Sequence, residues 1–185
     1  DLVPGDEVVI EFRGTTAERD ASEIGVESYV HGQVDFFNLD SEERGGGCLI
    51  DVACTRGNDW LDQRRSVVIF VKDDSGTHAC TGVLLNNTSG DFTPYVHIVN
   101  HCFSGTPANW VFYFNYETPG CSSGTAPLTQ TVTGATFRAA EYNGDFRLYE
   151  LNSSPPTAYH AFYAGWDRST NTPSAGVFMG HPVEV

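Results

Sequence analysis

Lysine is almost missing from these 185 residues: Lys72 stands alone beside nine arginines. Lys is normally among the commoner residues, and a genome or a salty habitat that replaces Lys with Arg would produce such a count. Cations of both kinds are outnumbered by 24 acidic residues, and the net charge of −14 argues against a nucleic acid partner, which would need a basic face. An acidic surface favours solubility and tolerance of salt instead. No apolar run approaches the roughly 18 residues that would cross a membrane, so no membrane partner is expected. CxxC spacing is absent and the six histidines are scattered, which leaves no zinc pattern and no metal or organic cofactor to expect. The chain opens on Asp1 without an initiator Met or a basic-then-apolar leader, as a processed product or a fragment would.

What is present favours strands. Apolar residues make up 40% and aromatics 12%, enough for a sizeable core, while 19 Gly and 9 Pro favour turns over long helices. The cysteines Cys48, Cys54, Cys80, Cys102 and Cys121 are odd in number, so one thiol is free or its partner lies outside this chain. Residues 8–12 read as a strand and 24–34 as a second alternating segment. FFNLDSEERGGG then brings clustered charge and three glycines, a linker composition that puts a boundary near residue 46. Beyond it, strand patterns recur at 66–71, 77–85, 95–99, 110–116, 130–140, 146–151, 159–166 and 175–179, separated by turn clusters. That spacing predicts an antiparallel barrel or sandwich, with no helical period of useful length and no internal repeat.

The stretch VHIVNHCFSG ends an apolar run on Asn100-His101-Cys102. Alone, His101 reads as readily as a core histidine as a catalytic base; a base needs partners within hydrogen-bond reach. Asp145 is the candidate partner, because it opens Asp145-Phe146-Arg147-Leu148-Tyr149-Glu150-Leu151, which Phe146, Leu148 and Leu151 can anchor. Asp51 and Asp167 are rivals, but neither begins an apolar strand after the His-Cys pair. Trp166 reads as core, and His78, His97, His160 and His181 as structural or surface residues.

Five segments in order carry a specific resemblance. They are Cys48-Leu49-Ile50-Asp51-Val52-Ala53-Cys54, Cys80-Thr81-Gly82-Val83-Leu84-Leu85-Asn86-Asn87-Thr88, Asn100-His101-Cys102, the run from Asp145 to Leu151, and Ala164-Gly165-Trp166-Asp167-Arg168. Together, over residues 48–168, they resemble the secreted bacterial lysyl endopeptidases, serine proteases of the chymotrypsin fold. The resemblance implies an all-β chain: the first antiparallel β-barrel of a chymotrypsin-like double barrel, with a short N-terminal β-rich extension. Residues 1–46 would be the end of a propeptide or an inter-domain segment, and 47–185 the first barrel and the start of the second. His101 would be the general base and Asp145 the carboxylate that orients it, serving a Ser hydroxyl. The resemblance also implies the disulfides Cys80–Cys102 and Cys54–Cys121, with Cys48 awaiting a cysteine in the second barrel. A Cys80–Cys102 bridge would contribute about 3 kcal/mol by loop closure and hold the His101 strand against its neighbour. The implied partner is a protein or peptide substrate cut after Lys or another basic residue, the setting extracellular and the chain a monomer. The scarcity of Lys fits such an enzyme, since exposed lysines would be sites of self-cleavage.

Departures from the family pattern matter as much. Nothing resembles its GDSGSP-like nucleophile loop, and Ser104, Ser122, Ser123 and Ser174 lack that context. The resemblance therefore implies the N-terminal portion of a protease, inactive alone, with nucleophile, specificity pocket and oxyanion hole in an absent second barrel. Where the family usually has Thr-Ala before the His, this chain has Ile98-Val99, two larger side chains under the site. Those features suit an alternative, a non-catalytic protease-like β-rich binding or adhesion module.

Overall fold

The computed structural model describes residues 13–21, 49–73 and 79–181; the expected strands 8–12 and 24–34, Cys48 and His78 lie outside them. Among the described residues, runs rich in Val and aromatic residues form seven strands: β1 (Val67–Val71), β2 (Ala79–Leu85), β3 (Tyr95–Val99), β4 (Val111–Phe114), β5 (Thr131–Thr133), β6 (Ala135–Glu141) and β7 (Phe146–Leu151). Neighbours pair antiparallel in the order β5-β4-β1-β2-β3-β7-β6. Because β5 and β6 are two halves of one run of chain, this sheet closes on itself as a barrel. Gly134 is the seam. Its N–H donates to the Trp110 carbonyl at 2.8 Å and its carbonyl accepts from the Asn152 N–H at 3.0 Å. Its φ of 82° is left-handed, and a Cβ would overlap the Asn152 side chain and lie 2.7 Å from the Ala108 carbonyl oxygen, so glycine is required.

Strand alternation decides what is buried. Val68 and Phe70 of β1 and Phe112 and Phe114 of β4 join Trp110, Tyr149 and Leu151 in the barrel core. The intervening Ile69, Val71, Val111 and Tyr113 form a second buried cluster on the other face, packed against Tyr116 and Leu128. Each such large side chain contributes roughly 1.5–3 kcal/mol when fully buried. Ile98, in the position where bulk was expected to crowd the site, sits opposite Gly82. A Cβ on Gly82 would come within 2.9 Å of Val96, 3.2 Å of Val68 and 3.3 Å of Ile98, so the missing side chain accommodates the large one.

Outside the barrel, Cys54 is bonded to Cys121. The Asp51 carboxylate accepts from the Ala53 N–H at 2.8 Å, the Thr118 hydroxyl at 2.8 Å and the Ser122 N–H at 2.7 Å. Arg64 forks onto Glu117 through Nε at 3.0 Å and Nη2 at 2.7 Å. These links strap residues 51–64 to the loop that follows β4.

The run 130–140 is two strands, broken at Gly134. Residues 159–166 and 175–179 form no strand beyond a single bridge of Ala164 to Leu85, because a closed barrel leaves them no free edge to pair with. Trp166 is half exposed rather than core, its Nε1–H donating to the Asn86 carbonyl at 3.2 Å.

Candidate functional site

β3 and β7 run side by side, with Val99 opposite Phe146 at their common end. From there the chain leaves β3 into a single 3-10 turn, Asn100–Cys102, while the turn after β6 delivers Asp145 to the start of β7. Two segments distant in sequence are thereby brought together at the barrel rim. Asp145 has a φ of 52°, in the left-handed region that Asp tolerates better than most residues. Its carbonyl accepts the Asn100 N–H at 2.9 Å. One carboxylate oxygen accepts the His101 backbone N–H at 2.8 Å, and the other meets His101 Nδ1 at 2.5 Å.

An ionised carboxylate only accepts, so Nδ1 carries a proton, and in the neutral ring Nε2 keeps the lone pair. The His101 side chain is 72% exposed, and no hydrogen bond from the described residues occupies Nε2. The His101 backbone N–H above all, with its ring, holds the Asp145 carboxyl below the ordinary carboxylate range against the opposing effect of desolvation. Cys102, next along the turn, is bonded to Cys80 on β2. His97 stacks on Phe146 with ring centroids 4.9 Å apart. Burial lowers its pKa, with the Asp145 charge pulling the other way.

The rival acids lie elsewhere. Asp51 belongs to the outer strap, and Asp167 accepts from the Ser169 N–H and hydroxyl at 2.8 and 2.7 Å. Ser104 offers its carbonyl to the Trp110 indole N–H at 3.1 Å, and Ser122 binds Asp51; no described serine is hydrogen-bonded to the His101 ring. Among the described residues no three His, Cys, Asp or Glu side chains converge to hold a metal. β7 buries Arg147, Tyr149 and Leu151, leaving Phe146 and Leu148 only half buried. Arg147 was invisible as a site residue, although its even spacing from Leu151 was the available signal.

Comparison with known proteins bears on this arrangement directly. Residues 43–184 match the family model "Lysyl endopeptidase, C-terminal domain". The chain is similar to the lysyl endopeptidase of Pseudomonas aeruginosa, 29% identical over 150 residues, 75% of this chain and 31% of the relative. It thus spans less than a third of that relative's length. The match corrects two expectations, that the chain is the N-terminal portion of a protease and that its barrel is the first of two: the matching domain is the C-terminal one. The antiparallel barrel itself stands. Motifs around His101 and Asp145 report which strands carry those side chains; they hold no measure of how much chain precedes them.

Proposed function

The chain belongs to the lysyl endopeptidase C-terminal domain family, and we propose that it supplies the base and orienting carboxylate of a serine endopeptidase that cuts after Lys or another basic residue. The observation that carries this reading is the two-point hold of one carboxylate on His101, through backbone N–H and through Nδ1. With Nδ1 engaged, Nε2 can take the proton of an attacking hydroxyl and return it to the leaving amine, while Asp145 stabilises the imidazolium formed between. The hydroxyl is that of a serine outside these 185 residues, so the chain alone does not turn over peptide. Lysine usage supports the choice of residue cut: the single lysine, Lys72, is buried, and a Lys-directed activity finds no exposed lysine here. Two disulfides suit an extracellular setting. The substrate is a protein or peptide, the chain acts as a monomer, and residues 1–46 are the end of a propeptide or an inter-domain segment.

The test is turnover of paired Lys and Arg peptides by the full-length protein. Cleavage after Lys is expected, with kcat lowered on the order of 10,000-fold by Asp145→Asn and at least as far by His101→Ala. Turnover by the 185-residue chain itself, or a fully active His101→Ala variant, would overturn the reading. Peptide binding without turnover in the full-length protein would favour the non-catalytic module.

A further inference from the structure

Arg147 lies between Phe146 and Leu148 on β7, in phase with the buried Tyr149 and Leu151. Burying a guanidinium is unfavourable unless its donors and its charge find partners. Nε donates to Asn100 Oδ1 at 2.6 Å and Nη1 to the Tyr149 hydroxyl at 3.0 Å. The guanidinium carbon stands 3.8 Å from the Phe103 ring centroid, with Phe137 at 5.6 Å and Tyr142 at 5.8 Å. Asn100 and Phe103 flank His101 and Cys102, and the Phe103 N–H closes the turn onto the Asn100 carbonyl at 3.0 Å. One side chain therefore grips both ends of the turn whose middle carries His101. It issues from the strand that begins beside Asp145.

We propose that Arg147 is a positioning residue for the His101–Asp145 pair: it fixes the turn after β3 against the mouth of β7, so that ring and carboxylate meet. The geometric hold stands apart from the proposed chemistry, and only its consequence for turnover rests on that reading. The task suits arginine. A planar fork can donate to Asn100 and Tyr149 while its face lies on Phe103; an ammonium offers a charge without the plane.

The measurement is long-range proton–nitrogen NMR of the His101 imidazole in the 185-residue chain, which reports the nitrogen that carries the proton. The natural chain should hold it on Nδ1. Arg147→Ala and Arg147→Lys should both relax to the mixed tautomers of an unrestrained imidazole, with a cooperative melt retained. Should neither fold, Asn100→Ala decides, because it leaves the Phe103 stack in place and should shift the tautomer the same way. An unchanged tautomer in folded Arg147→Ala or in Asn100→Ala, or full rescue by Lys, overturns the proposal; simple loss of packing would leave the tautomer alone. In the full-length protein the Arg147 variants should lower kcat by about 10- to 100-fold with KM little changed, since small misplacements act on the chemical step. A tautomer shift without any turnover in the natural protein would keep the positioning role and remove the protease reading. Turnover that needs His101 but ignores Arg147 would do the reverse.

Discussion

Two disulfides brace two regions of opposite character. Cys54–Cys121 spans 67 positions and secures the loop whose Tyr116 and Leu128 pack on the buried cluster of Ile69, Val71, Val111 and Tyr113. Cys80–Cys102 spans 22 positions and secures a half-exposed polar turn beside His101 and Asp145. Loop-closure entropy grows with loop length, so the outer bridge contributes about 4 kcal/mol and the inner about 3 kcal/mol. The larger stabilisation is thus placed away from the pair, and the smaller one is spent on its geometry. Stability and alignment have separate braces.

The hardest test of that separation removes each bridge in turn. Cys54→Ser with Cys121→Ser should lose about 4 kcal/mol, a fall in Tm of roughly 8–16 °C by calorimetry, with the His101 proton still on Nδ1. Cys80→Ser with Cys102→Ser should lose about 3 kcal/mol and also release the ring. If the outer variant frees His101, or the inner one leaves it fixed, the two regions are not independent.

A smaller effect sharpens the comparison from the barrel itself. Gly134 closes the sheet at the end of β7 opposite Asp145. Gly134→Ala forces a left-handed φ on a residue with a Cβ and pushes it against Asn152 and the Ala108 carbonyl, a cost of about 1–3 kcal/mol. The urea midpoint should fall at unchanged m, with no change at His101. An Ala variant as stable as the natural chain would mean that the seam relaxes freely.

Much of the barrel was legible because alternation and turn composition act locally. The patterns at 95–99 and 146–151 coincide with β3 and β7, and the apolar character of 66–71 reflects a β1 buried on both faces. What could not be read depends on the closed sheet. Residues 159–166 and 175–179 alternate like strands, yet pairing requires an edge, and joining β5 to β6 through Gly134 removes it. Arg147 escaped notice for a related reason. A charged residue in a core-facing register looks like an error until Asn100, Tyr149 and Phe103 are seen to surround it.

The weakest effect separates the same two regions by acid. His181, against the outer loop, donates from Nε2 to the Tyr116 carbonyl at 3.0 Å, which leaves a lone pair on a buried Nδ1 without a partner among the described residues. Burial lowers its pKa, opposed by the Tyr116 carbonyl and the Glu117 charge. His97, beside the site, is also lowered by burial, but Asp145 offsets part of this and the side chain is only partly buried. Both folded values lie below the ordinary 6.5, so the unfolded chain binds more protons in acid. Stability from both rings is complete above pH 6.5 and is lost progressively as pH falls below it toward the folded values. Asp145 adds its own loss lower down, below 3.8, because its folded pKa is depressed. In stepwise urea titrations His181→Gln should flatten the upper part of this acid slope and His97→Gln should change it less. A larger effect from His97 would place the acid-sensitive anchor at the site rather than under the outer strap.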